Sequence, residues 1–328
     1  MRAVVVAQPG EAGVLHLEEI ADPAPQTGEV LIRVASAGIN RADLLQRRGF
    51  YPPPPGAPDT LGLEVAGIVE SLGDGADGWT RGERVMALIE GGGYAELARA
   101  RATQVVRVPS GLDLVDAGGV PEVFITAHDN LLTRARLQAG ETALIHGGAG
   151  GVGSAAIQIA TQRGCRVIVT AGSAEKVERC LELGADIGID YNTEDFVART
   201  LDETAGHGAD VVLDVMGASY LERNLEVLAT DGRIVVIGMQ GGTQGELNLA
   251  LVSRKRATVM ATHLRGRPKE QKAAIVAAFE REVVPSLAGG AMRPVIDRVF
   301  PLAQVVEAHR LLESGGAIGK VVLQVAAG

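Results

Sequence analysis

The chain has 328 residues, 46% of them apolar but only 3% aromatic, enough for two domains with cores of Val, Leu, Ile and Ala. A formal net charge of −9 argues against non-specific binding to nucleic acid or to an anionic membrane. The 43 glycines follow no three-residue period, so collagen is excluded and tight turns between strands and helices are implied.

The opening "MRAVVVAQPGEAG" meets Pro and Gly too soon for a signal peptide or a bilayer span, and a soluble cytoplasmic protein is expected. "VLIRVASAG" (30–38), "EVAGIVESLG" (64–73), "ERVMALI" and "TQVVRVP" read as strands bounded by glycine. "FYPPPPGAP" (50–58) carries four successive prolines and must be an extended loop.

From Thr142 the rhythm changes. "TALIH" reads as a buried strand, and Val152, Ala155, Ala156 and Ile159 then recur at helical spacing. "CRVIVT" (165–170), "DIGID", "ADVVLDV" (209–215), "RIVVIG" (233–238) and "ATVMATH" (257–263) are further strands, mostly separated by helical stretches. Such alternation predicts a parallel sheet with helices on both faces. Cys165 and Cys180 lack metal-type spacing and read as buried, inert thiols. Beyond Gly266 a helix is predicted over 269–287, then "RPVIDRVFPL", a helix through "AQVVEAHRLLES", and "GKVVLQV". "SRKR" (253–256) is the one compact basic cluster and reads as a solvated turn rather than an RNA site.

"GAGGVG" (148–153) matches G-x-G-x-x-G, with a strand before it and a helix after it. Gly148 would permit the tight turn, Gly150 the close approach of a dinucleotide pyrophosphate, and Gly153 the packing of helix on strand. Gly151 and Val152 open the helix, whose N–H groups and dipole favour phosphate. At the end of the second strand, where NAD-binding units place an acid for the ribose 2′-OH, stand Ala171 and Gly172. Ser173, Lys176 and Tyr191 could instead hold a 2′-phosphate, which favours NADPH; the alternative for Lys176 is a solvated helix face. His146 reads as a packed residue below the turn.

"GINRADLLQRRG", "LGLEVAGIVESLG", "GERVMAL", "GGYAEL", "GGAGGVG" and "GAIGKVVL" occur in the order and spacing of the medium-chain dehydrogenase/reductase superfamily, which the chain resembles over nearly its full length. The branch it resembles is that of the zinc-independent quinone oxidoreductases, which are related to the zeta-crystallins. The resemblance implies an α/β fold: a GroES-like, mostly-β catalytic domain (1–123 and 267–328) and a Rossmann doubly wound parallel-sheet domain (124–266). Zinc enzymes of the superfamily carry Cys and His where this chain has Asn40 and Leu63, and no cysteine lobe follows "GERV"; no zinc is expected.

An alkoxide would then lack a Lewis acid, and a quinone or enone suits the site better, since the charge formed on reduction is delocalised. The resemblance implies Asn40, Asp43 and Tyr51 around the acceptor. Asn40 would orient it or serve as a helix N-cap. Tyr51 would donate a hydrogen bond and touch the cofactor, or only pack on the prolines. Asp43 would act there or only fix the loop. Thr126, Gly238, Met239, Leu264 and Arg265 would lie near the nicotinamide. The implied function is NADPH-dependent quinone reduction. The alternatives are a 2-alkenal or enoyl-thioester reductase and, in another class, an NADPH-binding structural or RNA-binding protein. A homodimer paired through "ATVMATH" is expected.

Overall fold

The computed structural model describes residues 1–325. In chain order the first elements are β1 (Arg2–Val6), β2 (Leu15–Glu19), β3 (Glu29–Ile39), α1 (Arg41–Arg47), β4 (Glu64–Leu72), β5 (Arg84–Leu88), β6 (Leu97–Arg101), β7 (Val105–Arg107), α2 (Leu114–Ala117) and α3 (Pro121–His128). There follow β8 (Thr142–His146), α4 (Gly151–Gln162), β9 (Arg166–Ala171), α5 (Ala174–Glu182), β10 (Ile187–Asp190), α6 (Phe196–Glu203), β11 (Ala209–Asp214), α7 (Leu221–Val227), β12 (Leu228–Val236), α8 (Leu249–Lys255) and β13 (Thr258–Ala261). The last are α9 (Lys269–Glu282), α10 (Val284–Ala288), β14 (Ile296–Pro301), α11 (Val305–Glu313) and β15 (Lys320–Gln324). None of the described helices is long and apolar enough to cross a membrane.

Contacts divide the chain into two compact units. Unit 1 is Met1–Ile125 with Arg265–Gly328, and unit 2 is Thr126–Leu264. In unit 1 a sheet runs β14-β15-β3-β4-β5-β7, with β6 also on β3, and all its pairs except β14–β15 are antiparallel. Its core is aliphatic, with Ile32, Val65, Val85, Val321 and Leu323 among the buried residues. The antiparallel pair β1–β2 and the strand β6 were not foreseen: β1 is a short apolar run soon followed by Pro9 and Gly10, and β2 and β6 interleave their apolar residues with polar and charged ones.

In unit 2 all pairs are parallel, in the order β10-β9-β8-β11-β12-β13. That is the doubly wound order of a Rossmann fold, which reverses between β8 and β11 and places ligands at the carboxyl ends there. Strand β13 ends the order and has a free edge. Two predicted boundaries are corrected. The helix expected over 269–287 is two helices, interrupted at Val283 because Pro285 cannot continue the hydrogen-bond ladder. Strand β12 begins at Leu228, five residues before the predicted start at Arg233, and a register shift against β11 absorbs the polar turn residues within it.

Candidate active site

In unit 1 the chemistry gathers where β3 ends and α1 begins. Asn40 stands at the N-cap of α1, and its backbone N–H donates to the Asp43 carboxylate (2.8 Å). Its amide nitrogen donates to Glu64 (2.8 Å), and its amide oxygen accepts from Lys320 (2.7 Å). The Lys320 ammonium also donates to the Ile39 carbonyl (2.8 Å) and pairs with Glu64 (2.6 Å). Glu64 is fully buried and Lys320 nearly so, at 0% and 3% side-chain exposure. Gly38 makes room for this pair, since a Cβ there would lie 2.2 Å from Glu64 Oε1. The second Glu64 oxygen accepts the backbone N–H of Glu122, at the start of α3 (2.8 Å).

Asp43 is fully buried and accepts from Asn40, Gly62 and the Tyr94 hydroxyl (2.9 Å). Burial pushes its carboxyl up to about 6 against those hydrogen bonds. Through these bonds Asp43 fixes the loop, one of the two roles open to it.

Tyr51 lies at the head of the proline loop, partly buried. The Arg265 guanidinium sits 5.3 Å from its ring centroid and donates to its carbonyl (3.5 Å). The same guanidinium donates to the Glu90 carbonyl (2.8 Å), and Lys272 pairs with the Glu90 carboxylate. Gly91 follows in the left-handed region at φ +155°, and a Cβ there would lie 2.7 Å from the Pro58 carbonyl. The side chain of Arg265, a residue expected near the nicotinamide, braces Tyr51 and the glycine loop, where the Glu90 carbonyl and the ring satisfy a buried guanidinium. Burial raises the Tyr51 phenol well above its ordinary value, and the charge of Glu122 adds to the rise.

Sequence reading missed Glu122 and Lys320. Each is a charged residue inside an apolar run, "GGVPEVFI" and "GKVVLQV", and that contradiction was the available signal. Glu122 is partly buried. Loss of water, then the Glu64 carboxylate, push its carboxyl up to about 8, while Lys320 pulls the other way.

In unit 2 the glycine turn joins β8 to α4. The left-handed residue is Gly147 (φ +67°), not Gly148 as expected. Gly148 serves packing instead, since a Cβ there would meet Val169 Cβ at 2.8 Å. Gly153 keeps α4 against the turn, where a Cβ would fall 2.3 Å from the Gly147 carbonyl. Gly150 is the N-cap, and no side chain caps the helix that Gly151 and Val152 open.

Ser173 caps α5, accepting the Lys176 N–H (3.3 Å). Tyr191, after β10, is exposed, and its hydroxyl lies where a Gly172 Cβ would come within 2.4 Å of it. Asn192 ties the two loops by donating to the Gly172 carbonyl (2.9 Å). Gly172, Ser173, Lys176 and Tyr191 thus stand at neighbouring strand ends, with no carboxylate at the end of β9.

Gly238 follows β12 beside Val215, and Met239 is exposed. The Thr126 carbonyl accepts from Asn130 (2.8 Å), and Leu264 is partly buried. Fully buried Asp214 holds the turn after β11 through the N–H groups of Met216 and Gly217. His146 is buried between the Phe196 and Tyr220 rings and bonded to Thr170 and Asn224; burial lowers it to about 4. Both cysteines are buried free thiols, pushed up by burial to about 11 (Cys165) and about 12 (Cys180). The basic cluster is partly committed: Arg256 pairs with Asp231, and Lys255 donates to the Glu226 carbonyl (2.6 Å).

Two family models match the chain: an alcohol dehydrogenase GroES-like domain over 26–110 and a zinc-binding dehydrogenase over 151–280. The quinone oxidoreductase of Rattus norvegicus is 32% identical, over 98% of this chain and 97% of its own. Among solved structures, an Escherichia coli quinone oxidoreductase complexed with NADPH is 28% identical at a TM-score of 0.89, covering 99% of this chain and 100% of its own. The CurK enoyl reductase is also 28% identical, at 0.88, covering 99% of each chain.

Proposed function

The chain belongs to the quinone oxidoreductase family of the medium-chain dehydrogenase/reductase superfamily, and from that premise we propose that it reduces quinones with hydride from NADPH, without zinc. The observation that carries this reading is the Lys320 ammonium, held by Asn40, Ile39 and Glu64. A protein cation already compensates the buried carboxylate there. The surrounding donors are an amide and carboxylates, with no thiolate or imidazole, and among the described residues no group of three or more His, Cys, Asp or Glu could hold a metal. Such a donor set does not fit zinc, and no step is assigned to one. The conjugated acceptor's delocalised charge needs hydrogen-bond donors rather than a Lewis acid.

The residues of unit 2 fit NADPH. The uncapped N-terminus of α4 offers N–H groups and a positive dipole to a pyrophosphate. Ser173, Tyr191 and Lys176 would hold the 2′-phosphate, and β9 itself ends on Ala171 rather than on an acid. When bound, the nicotinamide supplies the hydride. Tyr51 donates a hydrogen bond to the acceptor oxygen, and the brace of Arg265 and Gly91 holds its ring in place. Asn40 acts through the Glu64–Lys320 pair as much as on the acceptor. The same reading has the protein working as a cytoplasmic homodimer paired through the free edge of β13.

A second reading, reduction of a 2-alkenal or an enoyl thioester, is favoured by the likeness to an enoyl reductase and needs the same charge stabilisation. Steady-state oxidation of NADPH with quinones, 2-alkenals and enoyl thioesters separates them. The proposal expects the highest kcat/KM with quinones. Turnover only with enoyl thioesters would select the second reading. NADPH binding with no acceptor-dependent oxidation would point to a binding protein.

A further inference from the structure

We propose that Lys272 is a positioning residue of the acceptor site: through Glu90 and Arg265 it fixes where Tyr51 stands. The inference rests on the quinone-reductase reading, in which Tyr51 meets the acceptor. Helix α9 buries one face, and Lys272, Ile275, Val276 and Phe279 form it at spacings of three, one and three residues. Lys272 is the charged member of that set, and it is only 2% exposed. A methionine of similar length would fill the position without the loss of water that a buried ammonium suffers. Packing alone therefore does not account for a lysine there.

The ammonium donates to the Glu90 carboxylate and to the Arg265 carbonyl (3.1 Å). Arg265 in turn donates to the Glu90 carbonyl (2.8 Å) and to the Tyr51 carbonyl (3.5 Å), and its guanidinium lies 5.3 Å from the centroid of the Tyr51 ring. Glu90 is thus held at both ends, its carboxylate by α9 and its carbonyl by the residue that touches Tyr51. Lys272 grips both members of this bridge, so neither shifts without breaking a bond to a buried charge.

The proline loop cannot secure its own head. Pro52, Pro53, Pro54 and Pro55 have no N–H to donate. The far end is tied, since the carbonyls of Thr60, Leu61 and Gly62 accept from Gly92 (2.8 Å), Tyr94 (3.0 Å) and Gly93 (3.2 Å). Between that end and Tyr51 the packing is incomplete. A cavity of about 190 Å³ is lined by Pro55, Ala57 and Pro58 from one loop and by Ile89, Glu90 and Gly91 from the other. The head of the loop therefore depends on polar contacts, and the Arg265 bridge is the one that Lys272 locks.

The test uses Lys272→Met and the double variant Lys272→Met/Glu90→Gln. The double variant leaves neither charge buried without its partner, so it still reports where the single variant fails to fold. Both should lower kcat with quinones about three- to tenfold, because a small displacement of an orienting group is enough to slow a reaction. NADPH affinity should not change. In a Tyr51→Phe background, Lys272→Met should cost less than about twofold more, since the hydroxyl it positions is already gone. A lysine that only supports the fold would cost the same in both backgrounds. A readout without turnover accompanies these: hydrogen exchange in both Lys272 variants should quicken about tenfold or more at the amides of Ala57, Gly92 and Gly93 and stay unchanged in β3 and β4. Equal kcat losses in the two backgrounds, full activity in Tyr51→Phe, or exchange at those amides as slow as in wild type would overturn the role of Lys272 and leave the quinone-reductase reading standing. Wild type inert towards quinones would remove that reading, and the exchange comparison would then decide whether Lys272 holds the loops.

Discussion

Replacing Lys320 by Met tests how the buried cluster of unit 1 is held. Methionine keeps most of the side-chain length and deletes the charge. The change leaves Glu64, at 0% exposure, as an uncompensated buried anion and strips hydrogen bonds from the Asn40 and Ile39 oxygens. Breaking a buried pair from one side costs about 3–5 kcal/mol, mainly the desolvation of the charge left behind. With a urea slope of about 2–3 kcal/mol per M, the midpoint of unit 1 should fall by about 1–2 M. The chain's one tryptophan, Trp79, packs against the unit 1 core, so its fluorescence reports that unit directly. In Lys320→Met the folded state would favour a proton on Glu64 that the unfolded chain releases at neutral pH. The loss should therefore be smaller at pH 5 than at pH 8. Adding Glu64→Gln removes the stranded charge, and the double variant should recover about 2–3 kcal/mol relative to the sum of the singles. Additive losses would refute the idea that the ammonium's task is to compensate Glu64.

Lys176→Ala should weaken NADPH binding by about tenfold or more and leave NADH unchanged, because a charge-assisted contact to a 2′-phosphate contributes about 1.5–3 kcal/mol; equal losses in a fluorescence titration would remove Lys176 from the phosphate site. Tyr51→Phe should lower turnover by about five- to thirty-fold, or about 1–2 kcal/mol, with NADPH affinity nearly intact; an unchanged rate across several quinones would mean that Tyr51 only packs. His146 sits near 4 when folded and near 6.5 when unfolded, so the unfolded chain binds the extra proton between those values. Its contribution is fully present above about pH 6.5 and is lost as pH falls towards 4, by up to about 1.4 kcal/mol per pH unit. His146→Asn should flatten that acid slope in circular-dichroism melts, and an unchanged slope would contradict a buried neutral imidazole.

What the sequence by itself determined is local. The apolar runs of β3, β4, β8, β9 and β11 are legible because a doubly covered strand needs little information beyond its neighbours. The candidate nucleotide-binding residues of unit 2 are legible for the same reason: Gly148 to Gly153 lie in one glycine-rich turn and the start of its helix, and Gly172, Ser173 and Lys176 lie within five residues of each other. Even there the left-handed φ belonged to Gly147, since the motif names which residues must be small and not which one turns. The buried cluster of unit 1 was decided by the tertiary structure. Lys320 meets Asn40 across 280 residues of chain, and Glu64 meets Lys320 and Glu122 from different elements. Charge compensation between distant elements leaves no period in a sequence. It shows only as charged residues in apolar runs, and which carboxyl the ammonium neutralises depends on how β3, β4, α3 and β15 converge.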